Sequence, residues 1–446
     1  MSSTSAPSGR IPAAAHHTPA RRRWVRRVRT STAGTLITSG LVKTGCPDRV
    51  VQTRRSQAAF WISAVLLLFS VGSSALPSPL FPVYAAQWHL SPLLLTLAFA
   101  VYVGSLLLTL LTVGSLSDYV GRKPVLVVGS VALVLSMVLF VYASGFVMLI
   151  LGRIVQGAAI GLLLGTLGAT ILDHSLEHRP ALAGLLNGVI PPAALAAGAL
   201  ASGALVEWAP APRQLVYAVF GIALLALTVL LAVIPESVIR QPGAVRSLSP
   251  SLRIPAASRR PFGEVVGAMI ASWALAGLYL SLVPLVLTSV FGIQNHLAPG
   301  ALIALLAGGG ALTGAALHRM DPRRQVLVGL AGLTTGPIIT VTFIATGDLL
   351  GVILGTIVAG VGFGAGFQPA LRLLLASAAA DQRAELLSAI YVVSYLAFGV
   401  PSLIACLADH AIGLVAAIVG YGVFVVIAAA TALVLARSMP ARQHND

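Results

Sequence analysis

The chain has 446 residues, 57% of them hydrophobic and 9% charged, with 28 Lys and Arg against 13 Asp and Glu. A soluble protein carries roughly a quarter of its residues charged. Thirteen acidic residues could not keep so apolar a chain in solution, which excludes a large soluble fold and predicts an all-α polytopic membrane protein. The formal charge of +15 would suit nucleic acid, but its distribution does not. Eleven of the 28 basic residues precede position 56, and most others fall in short gaps between apolar runs, the pattern that orients a membrane chain. Cys46 and Cys406 sit in unlike contexts, one polar and one apolar, so neither a disulfide nor a metal site is expected.

Residues 1–57 differ from the rest, being rich in Ser, Ala and Pro and then in arginine from Arg21 to Arg29. No hydrophobic core follows until Ala58, so this is no signal peptide. The favoured reading is a disordered, basic cytoplasmic tail that touches anionic lipid; a start codon assigned too far upstream is the second. A nucleic-acid-binding arm is disfavoured, since Trp24 is the lone aromatic residue among the basic ones.

Twelve apolar runs follow. The first is Ala58 to about Pro77, with the helix free to continue through PSPLFPVY towards Tyr84. The next five are Leu94–Val113, Pro124–Val141, Phe146–Leu172, Leu182–Val206 and Leu215–Ile234. A polar stretch from Pro235 to Pro261 separates them from Val265–Val290, Ala298–Leu317, Val326–Thr346, Leu349–Ala378, Leu386–Leu407 and Ile412–Leu435. Each is long enough to cross about 30 Å of hydrocarbon at about 1.5 Å per residue. Kinks are expected at Pro191, Pro192 and Pro401. The organisation expected is a six-helix bundle over 58–234, a central loop at 235–262, a second bundle over 263–436 and a short tail at 437–446. With twelve spans both termini share a side. The basic residues on that side include Arg122, Lys123, Arg179, five arginines between 235 and 261, Arg323, Arg324 and Arg383, against Arg213 alone on the other. This bias places both ends in the cytoplasm.

The gap between the second and third runs reads GSLSDYVGRK, Gly114 to Lys123. Shifted by 201 residues, Leu116 falls on Leu317, Arg122 on Arg323 and Lys123 on Arg324, whereas Asp118 falls on Arg319 and Gly121 on Pro322. One short basic turn after the second helix of each half marks a parallel repeat whose halves rock against each other.

The decapeptide fills every fixed place of the pattern G-x-L-x-D-x-x-G-R-K/R, and the chain thereby resembles the major facilitator superfamily, most nearly its twelve-span drug:proton antiporter branch. The exporter-type pattern R-x-x-Q-G is matched by Arg153, Gln156 and Gly157 in the fourth run. A third pattern, a Gly-Pro pair in helix 5, is degraded and falls on Gly198 and Ala199. The resemblance covers about Ala58 to Leu435. It implies that Asp118 latches the cytoplasmic ends of the two halves together, with Gly114, Gly121, Arg122 and Lys123 shaping the turn. It also implies a part for Arg153, with Gln156 and Gly157, in proton relay.

Bland readings stand beside these. Asp118 would serve as a folding signal, Arg122 and Lys123 would satisfy the inside rule as any basic residues do, and Arg153 would be a side chain snorkelling near the cytoplasmic edge. Against the last, an intramembrane charge is functional by default. No acidic residue lies at mid-depth in any first-half run, so Arg153 needs a backbone carbonyl, Gln156, a water or the substrate as partner. Glu264 and Glu385 stand at cytoplasmic span ends, Asp348 and Asp409 at outer ones. A central carboxylate for a cationic drug is therefore missing. The expected cavity is built from Tyr102, Asn187, Trp273, Tyr279, Gln368, Arg372, Tyr391 and Tyr395, which suits an apolar or weakly polar solute.

The nine histidines all fall in loops or at span ends, which leaves no metal cluster and no nucleophilic triad, and no cofactor is expected. Without a G-x-x-x-x-G-K-[ST] sequence, ATP is not the direct energy source. The chain is read as a secondary transporter of the cell membrane rather than an enzyme. It would work as a monomer by alternating access, with protons as coupling ion and a small molecule as cargo, and efflux is preferred on Arg153, Gln156 and Gly157. The alternative is a facilitator or proton symporter importing a sugar, organic acid or other metabolite.

The one-sided arginines predict that a cysteine introduced at Ser115 is protected from impermeant reagent added outside intact cells, while one at Ala209 is modified. The reverse labelling pattern would overturn the orientation.

Overall fold

The computed structural model describes residues 47–176, 178–238, 241–243, 254–379 and 382–437. The tail up to residue 46, the middle of the central loop and the residues after 437 lie outside this set.

Backbone N–H and C=O groups find no water in hydrocarbon, so a chain of long apolar runs satisfies them within helices. The first half contains α1 (Pro47–Ala75), α2 (Phe81–Trp88), α3 (Pro92–Val113), α4 (Ser117–Val120), α5 (Arg122–Val141), α6 (Phe146–Asp173), α7 (Pro180–Trp208) and α8 (Pro212–Leu230). The second contains α9 (Arg259–Ser281), α10 (Val283–Ser289), α11 (Leu297–Ala316), α12 (Pro322–Thr346), α13 (Leu349–Ser377), α14 (Arg383–Ile412) and α15 (Leu414–Arg437). Twelve of the described helices are long and apolar enough to cross a membrane.

The differences from the expected runs have local causes. Helix α1 begins at Pro47, inside the stretch expected as tail. It then stops at Ala75 instead of continuing: Pro77 and Pro79 fall in a run of turns, and the chain restarts as α2 with Pro82 in its first turn. The seventh run breaks in the same way, between α9 and α10 at Leu282, with Pro284 in the first turn of α10. A long first helix followed by a short one therefore recurs in both halves. Gly413, at φ 82°, divides α14 from α15 several residues beyond the expected end of the eleventh run. Helices α7 and α14 run through Pro191, Pro192 and Pro401, as α12 and α13 do through Pro337 and Pro369.

In the first half α6 packs against α3, α5 and α1, while α7 lies along α1 and α8 along α5. In the second, α13 packs against α12 and α11, and α9 against α14 and α15. Buried tyrosines stitch the second half together. Tyr421 of α15 donates to the Ala274 carbonyl of α9 (2.8 Å) and bonds Ser402 of α14 (3.2 Å), and Tyr279 of α9 bonds Thr356 of α13 (2.6 Å).

Two seams join the halves, α7 against α11 and α3 against α14. In the first, Ala199 and Gly203 lie against Gly300, His296 and Leu297. In the second, the Phe99 and Phe398 rings meet at 4.9 Å, and Val103 reaches Gly399. The α7–α11 contacts lie in the part of the bundle away from the GSLSDYVGRK turn, and those of α3 with α14 run from there to mid-helix. Towards the turn, Gln368 approaches Gly188, eight residues into α7 and about 12 Å along its axis.

Loss of one buried hydrogen bond typically costs about 0.5–1.5 kcal/mol. Tyr421→Phe, which removes the hydroxyl shared by three helices, is expected to lower the melting temperature of purified protein by a few degrees without changing its helical content. Scanning fluorimetry and circular dichroism together check both parts.

Candidate functional site

The GSLSDYVGRK turn is a built ion cluster. Helix α3 ends at Gly114, α4 is a single turn, and Gly121 (φ 108°) swings the chain into α5. The first N–H groups of a helix lack intrahelical partners. Here those of Arg122 and Lys123 donate to Glu236, at 2.8 and 3.1 Å, a carboxylate more than a hundred residues away beyond α8. The Lys123 ammonium donates to the Ala232 carbonyl (2.8 Å) in the same segment. Arg122 pairs with Asp118 one turn back, with Ser117 (2.7 Å) and with Asp173 at the end of α6 (3.3 Å), which also accepts from Ser237 (2.8 Å). One arginine thus ties α4, α5, α6 and the exit of α8, all in the first half.

Gly121 is required by its backbone, and a side chain there would also displace the Glu236 carboxylate. Its φ lies where L side chains rarely go, and a Cβ there would stand 2.6 Å from Glu236 Oε2. The second half solves the same problem locally: Asp321, just before α12, accepts from Arg323 N (3.1 Å) and Arg324 N (3.2 Å).

The second constellation surrounds Arg153, which is wholly buried on α6. It is not the snorkelling side chain weighed for the cytoplasmic edge. It lies seven residues, about 10 Å, from the α6 end on the other face. Its Nη1 donates to Gln156 Oε1 (2.9 Å) and the Ser74 carbonyl (3.3 Å), and Gln156 in turn donates to the Ser73 carbonyl (2.9 Å).

Those two carbonyls lose their regular helical donors because α1 breaks, and Ser73 keeps only a long bond from the Leu76 N–H (3.3 Å). The residue four on from Ser73 is Pro77, which has no N–H, and the N–H four on from Ser74 turns back to Ala75 (3.2 Å). A helix C-terminus carries partial negative charge, so α1 supplies the neutralisation that no carboxylate provides. The guanidinium carbon lies 5.2 Å from the Tyr102 ring centre and 5.8 Å from that of Phe81. A side chain at Gly157 would collide with the Tyr102 carbonyl, so Arg153, Gln156 and Gly157 act together: one carries charge, one relays it to α1, one lets α3 approach. Among the described residues, Arg153 Nε and Nη2 have no hydrogen-bond partner.

The expected cavity residues divide. Tyr102 lies under Arg153, Tyr279 is packed inside the second half against Thr356, and Tyr395 is buried in an aromatic cluster with Trp273 (4.6 Å) and Phe398 (6.4 Å). Asn187 and Gln368 are half-buried on facing helices, with Asn187 donating to Gly168 O (3.0 Å), and Arg372 is exposed one turn beyond Gln368. Trp273 and Tyr391 are partly accessible.

A family model described as Major Facilitator Superfamily matches residues 60–402, which contain both constellations and both seams. The chain belongs to the major facilitator superfamily. The multidrug resistance protein MdtL of Salmonella typhi is 33% identical over 127 residues, which make up 28% of this chain and 32% of that protein, so the match spans about a third of the relative's length. Among solved structures, a bacterial homolog of the human lysosomal transporter Spinster, inward-facing and unoccupied, aligns with a TM-score of 0.68 at 16% identity over 86% of this chain and 97% of its own. The human organic anion transporter MFSD10 (TETRAN) aligns with a TM-score of 0.62 at 15% identity over 85% and 99%. At these identities the two structures show the fold alone. The family and the twelve long apolar helices make this chain a multi-pass membrane protein.

Sequence reading missed Glu236, Asp173 and the paired carbonyls of Ser73 and Ser74. Glu236 and Asp173 are unremarkable span-end acids until the fold brings them to Arg122.

Gly121→Ala is expected to cost about 1–3 kcal/mol through its φ and the collision with Glu236, and Glu236→Ala about 0.5–2 kcal/mol through the uncapped α5. Because the collision needs both residues, the double variant should lose less than the sum, read from melting curves of all four proteins. Strict additivity would remove Glu236 from contact with Gly121.

Proposed function

We propose that this transporter exports a small apolar or weakly polar solute or drug from the cytoplasm in exchange for protons, by alternating access. The observation that carries the reading is Arg153: a sealed cation with neutral protein partners and two nitrogens, Nε and Nη2, left without a partner among the described residues and able to hold something else. A guanidinium does not give up its proton at any relevant pH. Its part is to hold a water or substrate group, through Nε and Nη2, at a fixed place on the proton path. The lack of a titrating carboxylate at this depth fits an arginine that orients rather than exchanges the proton. The name of the partial relative MdtL supports drug-type cargo, and the aromatic walls with Asn187 and Gln368 suit apolar and weakly polar solutes.

The seams hold the halves together away from the GSLSDYVGRK turn, so with that turn in the cytoplasm the structure corresponds to an inward-facing state of a plasma-membrane protein whose two termini are both cytoplasmic. Asp118 is exposed here and pairs within its own half. It is placed to latch onto the second half when the cytoplasmic face closes. The transporting unit is a monomer, since each half supplies the other's seam within one chain.

The test is flux into or out of reconstituted vesicles under an imposed pH gradient, after a thermal-shift screen has found a ligand. Arg153→Ala should cut proton-driven flux at least about tenfold. Arg153→Lys should rescue little, because an ammonium lacks the planar fork that serves Gln156, Ser74 and a further acceptor at once. Asp118→Asn should slow turnover while leaving substrate binding intact. Wild-type flux indifferent to both the gradient and a protonophore would mean a facilitator, and the antiport reading would be dropped.

A further inference from the structure

The face opposite the GSLSDYVGRK turn is closed by two seams, and their chemistry is unequal. Most contacts are apolar and close-fitting: Ala199 and Gly203 on Gly300 and Leu297, Phe99 on Phe398, Val103 on Gly399. Such contacts are non-directional. At the rim of the α7–α11 seam stands a polar lock. Glu207, in the last turn of α7, accepts from the His296 backbone N–H (2.8 Å) with Oε2 and from the Asn295 side chain (3.2 Å) with Oε1. The His296 ring lies 3.4 Å from Oε2. Asn295 Oδ1 accepts from Leu297 N (2.8 Å) and Ala298 N (3.2 Å). A carboxylate from the first half and an amide from the second thus share the free N–H groups at the start of α11, where the helix end also favours negative charge.

The ion pairs Arg122–Asp118, Arg122–Asp173 and Arg260–Glu264 each stay within one half, whereas Glu207–His296 crosses between them. At the matching end of α14 stands Asp409, which forms no side-chain hydrogen bond or ion pair among the described residues; its seam carries instead a buried contact of Cys406 with Thr96. Glu207 and His296 remain a quarter and a third exposed, so water can take over their bonds when the seam parts.

We propose that Glu207 is the latch of this face: its docking on the start of α11 holds the two halves shut there, and its release lets the face open. One carboxylate engages both the N–H at the start of α11 and the residue that caps that helix, so a single side chain of the first half holds this end of the second.

The experiment needs no substrate, so its outcome is independent of whether the transport reading above holds. Spin labels at Tyr142 and Leu350, exposed positions near this face in different halves, report its opening by pulsed distance measurement on the full chain in lipid nanodiscs, with both cysteines replaced. Wild type should show a short distance. Glu207→Gln and Glu207→Ala should raise the long-to-short ratio about tenfold or more, as expected for loss of a charged hydrogen-bonding partner. Asn295→Ala, which removes the amide that donates to Glu207, should raise it as well, and Asp409→Asn should behave as wild type. If neither Glu207 variant folds, Asn295→Ala decides. Glu207 variants indistinguishable from wild type overturn the latch, as does an Asn295→Ala distribution that matches wild type or an opening by Asp409→Asn that matches Glu207→Gln.

Discussion

The interaction on which the first half depends is the docking of a buried cation onto the broken end of a helix. Bringing an unpaired guanidinium out of water costs several kcal/mol even after relaxation. The Arg153 site meets that cost without a carboxylate. Pro77 cannot donate to Ser73, and the turn after Ala75 diverts the next N–H from Ser74, so two carbonyls at the negative end of α1 point at Arg153 and Gln156. This choice constrains the neighbours. Helix α6 must bring Arg153 level with the end of α1, and Gly157 must be small enough for α3 to lay Tyr102 beneath the guanidinium. A counter-carboxylate would have fixed the charge equally well, but it would have engaged Nε and Nη2, the two nitrogens left without a partner here among the described residues.

Much of the architecture was legible because lipid imposes it. Long charge-free runs separated by short polar gaps can satisfy their backbone only as helices, so the twelve spans follow from hydrophobicity, and the two-fold repeat follows from the basic turns at Arg122 and Arg323. The end of the first span was harder to read. The PSPLFPVY stretch allows a kinked helix as readily as a break, and what distinguishes them is a partner for the freed carbonyls, supplied by Arg153 from the fourth span. The same limit hid Glu236. Nothing in the sequence around it signals that it caps α5 from more than a hundred residues away. Gly121 was readable as a turn residue, but the carboxylate that makes its missing side chain necessary was not.

The repeat preserves geometry while exchanging the groups that carry it. Both halves begin with a long helix, a proline-marked break and a short helix, and both have a basic turn before their third span. At that turn the first half caps its helix with Glu236 and bends at Gly121, whereas the second uses Asp321 beside Pro322. The two solutions differ in what they couple. A local cap holds only its own turn, whereas Glu236, with Asp173 and Arg122, binds α4, α5, α6 and the exit of α8 into one unit. A rocking mechanism needs such a unit, because a half that flexes internally would absorb the motion instead of passing it to the seam.

The seams show the complementary requirement. A carrier must hold each face closed and still release it, so the free energy of closure has to be modest and subject to a switch. Close apolar packing of Ala199, Gly203 and Gly300 excludes solute, but it has no part that can be switched off. Charged hydrogen bonds at a water-accessible rim do, because solvent competes for each partner. The placement of charge in this chain is divided in the same way: a sealed arginine inside the first half, and acids at the helix ends, within reach of water.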